Sequence, residues 1–108
     1  MMMMNKLEHL LVTFSEECSE IAQATSKALR FGIDEPEENI RRYTNEDKGN
    51  NRERISREVS DMKAIMELLE EAGVPEIMAG LTNRERIERK KTKVRYFLKY
   101  AKGQGTLQ

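Results

Sequence analysis

The sequence predicts an all-α protein, an antiparallel helical bundle completed by dimerisation, and three observations carry that expectation. Apolar residues recur at three- and four-residue steps in three segments, no segment alternates as a strand does, and the links between segments are short. At 108 residues, with 38% hydrophobic and 35% charged side chains, the chain reads as one domain whose modest core a partner chain would extend.

The first segment runs from about residue 5 to residue 30. Leu7, Leu10, Leu11, Phe14, Cys18, Ile21, Thr25, Ala28 and Leu29 form its stripe, and Gly32 supplies a stop. Residues 33–50 follow as a polar insert, IDEPEENIRRYTNEDKG in its main part, where Pro36 can open one short helix. The second helix is expected to begin at Asn50 or Asn51, because Asn50 and Glu53 have capping-box spacing. It carries Ile55, Val59, Met62, Ile65, Met66 and Leu69 until Gly73. GVPEIMAGLT then makes a turn with room for a single helical turn. Thr82 and Glu85 again have capping-box spacing, and Ile87, Val94, Phe97, Leu98 and Ala101 give the third helix a narrower stripe. Residues 103–108 are expected to fray.

Charge excludes some functions and suggests others. The chain holds 19 basic and 19 acidic residues, so no overall field draws it to nucleic acid or membrane. The cations are nevertheless concentrated: Arg84 to Lys102 carries nine of them against Glu85 and Glu88, a stretch suited to phosphate. Cys18 is the only cysteine, which rules out an internal disulfide or a cysteine-based zinc cluster and fits a reducing, cytoplasmic setting. The MMMM start lacks the apolar run of a signal peptide and reads as a disordered start or a choice of initiation codons, and no segment has the length of a membrane span.

The carboxylates of SEECSEIAQATSKALRFG sit where an apolar stripe should be uninterrupted. Each helical residue advances by about 100°, so with Leu7 at zero Glu17 falls at about 280°, between Leu10 and the polar side. Glu20 falls at about 220°, on the stripe's edge, and Glu16 at about 180°, facing outward. The second helix repeats the design: counted from Ile55, Glu58 lies at about 300° inside the stripe and Asp61 at about 240° on its edge. If the two stripes face each other, Glu17, Glu20, Glu58 and Asp61 converge on one partly buried place, where repulsion and desolvation require protons or cations. A donor set of oxygens alone suits Mg2+, with Mn2+ as a substitute, better than zinc or copper. A di-iron bundle needs Glu-x-x-His pairs, and the sole histidine, His9, belongs to neither acidic pair.

Each feature also has an ordinary reading. A lone Glu-x-x-Glu or Glu-x-x-Asp is common decoration on a charged helix; it is the pair, each with its first member on an apolar stripe, that points to a site. Magnesium held by carboxylates typically recruits substrate phosphates, and Lys27 and Arg30 lie downstream of Glu20 to meet them. Cations near a helix C-terminus also favour the helix dipole without any ligand. Phe31 reads first as packing.

The run EECSE, residues 16–20, followed by REVSD with Glu58 and Asp61, resembles the EExxE and ExxD motifs of MazG-like, all-α nucleoside triphosphate pyrophosphohydrolases. SKALRFG and NRERISREVSD look like the small single-domain members found in many phage genomes, and the resemblance spans about Leu7 to Tyr100. It implies metal ligation by Glu17, Glu20, Glu58 and Asp61, Mg2+ dependence, and cleavage of a (deoxy)nucleoside triphosphate to monophosphate and pyrophosphate. A homodimer or homotetramer is implied too, working in the cytoplasm, the host's if the chain is phage-encoded. The interval between Glu20 and Glu58 is longer than is common in the family, the excess lying in the polar insert.

On this expectation water is the nucleophile, with Glu16 or Glu20 as the catalytic group that orients or deprotonates it. Lys27, Arg30, Lys90, Lys93 and Arg95 are the candidate phosphate contacts, and a purine deoxynucleotide such as dGTP is a first substrate to test. Tyr43, Tyr96 and Tyr100 are available to a base. The rival is a binding or interaction module that uses the basic C-terminal helix on nucleic acid without catalysis; zero net charge and the lack of a nucleic-acid motif weigh against it.

Overall fold

Asn5 starts the first helix through a reciprocal cap: its side-chain oxygen accepts from the Glu8 N–H at 2.8 Å, while the Glu8 carboxylate accepts from the Asn5 N–H. In the computed structural model, which describes residues 3–35 and 49–108, this helix, α1, spans Lys6–Phe31. Gly32 ends it as expected, with φ at 102°, a conformation that penalises any side chain with a Cβ, and its N–H donates to Ala28 O at 2.8 Å. The short helix expected after Pro36, and Tyr43 with it, lie outside the described residues.

The second helix, α2, spans Asn51–Glu71, and the expected Asn50–Glu53 capping box is present. Its start is tied back to the end of α1. The buried Asn51 donates its side-chain amide to Gly32 O at 2.9 Å and its N–H to Glu35 O, while the Arg52 N–H donates to Ile33 O. The Arg52 guanidinium meets Asp34 at 3.1 Å. These bonds hold the end of α1 beside the beginning of α2, so the two helices pack as an antiparallel pair, the main packing contact of the described residues.

Pro75 at the first helical position opens the single turn foreseen in the linker, α3 at Pro75–Ala79, continued by a 3-10 turn at Gly80–Thr82. The last helix, α4, spans Arg84–Gly103, and its cap differs from the expected one. Thr82 belongs to the 3-10 turn, where its hydroxyl donates to Ala79 O, and the next residue, Asn83, stands at the N-cap and accepts the Arg86 N–H. The tail, expected to fray, closes with a turn: Gly105 has φ at 78°, and both the N–H and the hydroxyl of Thr106 donate to Ala101 O.

The described residues are all helical in their regular structure, with no strand. Their core is thin. Ala24, Ala28, Met66 and Leu69 are the buried apolar residues, Ala24 and Leu69 fully so, whereas Leu29 is 87% exposed and Cys18 and Val59 also lie open. Leu29 and Cys18 belong to the expected stripe, which is wider than the strip one facing helix can cover.

α3 packs on α2, but among the described residues α4 has no extensive packing partner, and its Val94, Phe97 and Leu98 are exposed. The described residues therefore do not close a three-helix bundle. The Cα radius of gyration is 17.7 Å, where a compact domain of this length has about 13 Å.

Candidate metal centre

Glu17 comes from the middle of α1, and Glu58 and Asp61 from one face of α2, three residues apart as a helix requires for neighbouring side chains. The antiparallel packing brings these three together, with one carboxylate oxygen from each lying within 4.8 Å of the others. Glu17 and Glu58 are half-buried and Asp61 is exposed, so the cluster opens to water on one side.

Burial raises the Glu17 carboxyl above its ordinary 4.5, and the negative charges of Asp61, Glu58, Glu20 and Glu16 push it the same way. Glu17 is thus the side chain on which the acids of both helices act. The helical count singles it out for the same reason: it is the acid on the apolar side of α1. Glu20 is half-buried on the next turn and contributes charge, but it is not among the three closest groups; Glu16 is exposed.

The donor set fits a hard divalent cation. Six-coordinate Mg2+ with oxygens at about 2.1 Å separates its ligand atoms by about 3.0 Å in cis and about 4.2 Å in trans, so three oxygens within 4.8 Å would close by up to about 1.8 Å per cis pair to hold it. No thiolate or imidazole takes part: Cys18 is exposed and belongs to no such cluster, and neither does His9 among the described residues. Carboxylates from two helices can neutralise such an ion while leaving its outward positions to water or to phosphate oxygens.

The expected phosphate contacts fall into two places. Lys27 is half-buried on α1, two turns beyond Glu20, or about 10 Å along the axis. Arg30 follows in the last turn, where its guanidinium lies 5.0 Å from the centre of the Phe31 ring and favours the dipole. Lys90, Lys93 and Arg95 stand on α4, which does not pack extensively on α1 or α2. Arg86 and Arg89, read from the sequence only as part of a basic tail, line one concavity with Lys90 and Lys93. Their i, i+3, i+4, i+7 spacing was the signal that could have found them.

No described helix is long and apolar enough to cross a membrane. Compared with protein-family models, curated proteins and solved structures, the chain has no significant match.

Proposed function

We propose that the chain is a Mg2+-dependent nucleoside triphosphate pyrophosphohydrolase. The observation that carries this reading is the meeting of Glu17, Glu58 and Asp61 within 4.8 Å, with Glu17 pushed toward protonation unless a cation neutralises the group. Glu17, Glu58 and Asp61 would hold the metal, and Glu20 would join them through its own rotamer or through a bound water. When bound, Mg2+, or Mn2+ in its place, would supply charge neutralisation and Lewis acidity toward the substrate phosphates.

The chain's own groups do the rest. Glu20 or the exposed Glu16 accepts a proton from the attacking water, whose oxygen bonds to the α-phosphorus as the α–β anhydride bond breaks. Pyrophosphate then leaves, and the nucleoside monophosphate keeps the new oxygen. Lys27, two turns beyond Glu20 on α1, and Arg30 in its last turn would be the contacts for the β- and γ-phosphates.

The thin core and the open side of α4 favour a homodimer or homotetramer, in which Lys90, Lys93 and Arg95 of α4 approach phosphate only if a second copy brings them there. The cytoplasm, a phage host's included, is where such an enzyme meets its (deoxy)nucleoside triphosphates.

The test is phosphorus NMR of a panel of ribo- and deoxyribonucleoside triphosphates, dGTP among them, incubated with the chain and Mg2+. Monophosphate and pyrophosphate in equal amounts are expected from at least one. Diphosphate and orthophosphate, or no turnover by folded protein across the panel, would overturn the reading.

A further inference from the structure

The neutrality of the chain hides a division of charge. The stretch Arg84–Lys102 has a surplus of seven positive charges, and the remainder, with ten cations and seventeen acids, balances it. α4 is therefore a strongly basic helix on a neutral protein, and it carries its charge on a surface that no other described element covers extensively.

Within α4 the charge is sorted further. With Ile87 at zero, Arg86, Arg89, Lys90 and Lys93 fall between about 200° and about 300° and form a stripe over the first turns. The four line a concavity of about 250 Å³. Of the helix's two acids, Glu88 lies away from the stripe at about 100° and Glu85 at its edge, at about 160°, a turn before Arg89. Glu88 serves Arg84 and Lys91 rather than the stripe. Among the described residues, no carboxylate pairs with any of the four stripe cations.

Aromatic rings continue the same side. Tyr96 falls at about 180°, Tyr100 at about 220° and Phe97 at about 280°, one to two turns beyond Lys93. Tyr96, Tyr100 and Phe97 are 66%, 59% and 54% exposed. The Tyr96 and Phe97 rings meet edge to face at 5.6 Å, which leaves ring faces open. From Arg86 to Tyr100 the surface extends about 21 Å along the helix, longer than one triphosphate.

We propose that this face of α4 binds single-stranded nucleic acid, with Arg86, Arg89, Lys90 and Lys93 on successive phosphates and bases stacked on Tyr96, Phe97 and Tyr100. Cations followed by exposed rings are the two components of sequence-tolerant single-strand binding. A duplex would satisfy the cations but keep its bases from the rings. In a single chain this surface does not pack extensively on the described helices that carry the acidic cluster, and single-strand binding there does not depend on the pyrophosphohydrolase reading.

The experiment is fluorescence anisotropy of labelled oligothymidylate titrated with the full chain in EDTA, repeated over a series of salt concentrations. Saturable binding is expected, with log K falling against log salt at a slope of about −3, the value for four neutralised phosphates on a single strand. Arg89→Gln with Lys93→Gln should weaken binding and flatten the slope by about 1.4. Tyr96→Ala with Tyr100→Ala should cost about tenfold or more and leave the slope unchanged. All four positions are exposed, so far-UV circular dichroism should show native helix content in both variants. Glu58→Gln should bind the oligonucleotide as the wild type does. No binding at low salt, equal affinity for duplex, or a slope untouched by the Arg89 and Lys93 changes would overturn the proposal. So would salt-sensitive self-association by sedimentation without oligonucleotide binding, which would assign the stripe to the acidic surface of a second copy.

Discussion

Replacing Glu17 with glutamine keeps the side chain's size and removes the charge on which four neighbouring acids act, so the variant should be the more stable protein without metal and the less stable one with it. Two unit charges 4.8 Å apart in water repel by about 0.9 kcal/mol, and Glu17 faces two at that range or closer, Glu58 and Asp61. Screening at physiological salt roughly halves the sum, leaving about 1 kcal/mol in favour of Glu17→Gln in EDTA. For a chain of this size that is a rise of about 4 °C in Tm. At free Mg2+ tenfold above its Kd the wild type regains about 1.4 kcal/mol, which reverses the order if the variant has lost its metal.

The pH dependence has a definite sign. Because the folded carboxyl titrates above 4.5, the folded state holds more protons than the unfolded state in that window, and wild-type stability falls as pH rises through it. The advantage of Glu17→Gln should therefore be full above the raised pKa and vanish below 4.5. Thermal unfolding followed by circular dichroism, in EDTA and in Mg2+ at several pH values, reads all of this. Equal Tm values in EDTA, or a Mg2+-induced rise that the variant keeps in full, would refute the reasoning.

Other expectations concern activity and the scaffold. Glu58→Gln should lose metal-dependent pyrophosphate release while keeping wild-type helix content; full activity would show that the ligand set is wrong. Leu69→Ala empties a fully buried position between the helices and should cost about 2–5 kcal/mol in urea unfolding, with a loss below about 1 kcal/mol contradicting the packing. Asn50→Ala removes the oxygen that receives the Glu53 N–H and should cost about 1 kcal/mol by the same measurement. Gly32→Ala forces a Cβ onto a φ of 102°, so it should destabilise by more than about 1 kcal/mol, and a neutral result would argue against that conformation.

Much of the local structure was legible in the sequence because its causes are local. The Asn50–Glu53 box, the stop at Gly32 and the turn begun by Pro75 each depend on residues within four positions of one another. Helical phase alone also brought Glu17 to the side where Glu58 and Asp61 stand, since a step of about 100° per residue fixes which side chains share a face. Tertiary placement was less legible. The amphipathic stripe of α4 looks the same whether it packs on its own chain or stands open, so periodicity could not show that Val94, Phe97 and Leu98 lie exposed.

Asn51 was missed for a related reason: its bond to Gly32 O links residues 19 apart, and a polar residue at a helix start reads as a cap. At Thr82 and Asn83 two caps competed, and the 3-10 turn, which takes in Thr82, left the N-cap position to Asn83. Glu20 illustrates the limit of angle counting, which places a residue on a face but not its carboxylate at a given distance.

The central claim is that the carboxylates of α1 and α2 form a divalent-cation site, and titration of the chain with Mn2+, followed by electron paramagnetic resonance of the free ion, tests it most directly. Saturable loss of the free-ion signal is expected, at least one Mn2+ per chain, competed by Mg2+ and abolished by Glu58→Gln in a folded protein. An unchanged free-ion signal with the wild type, or equal binding by wild type and Glu58→Gln, would contradict it.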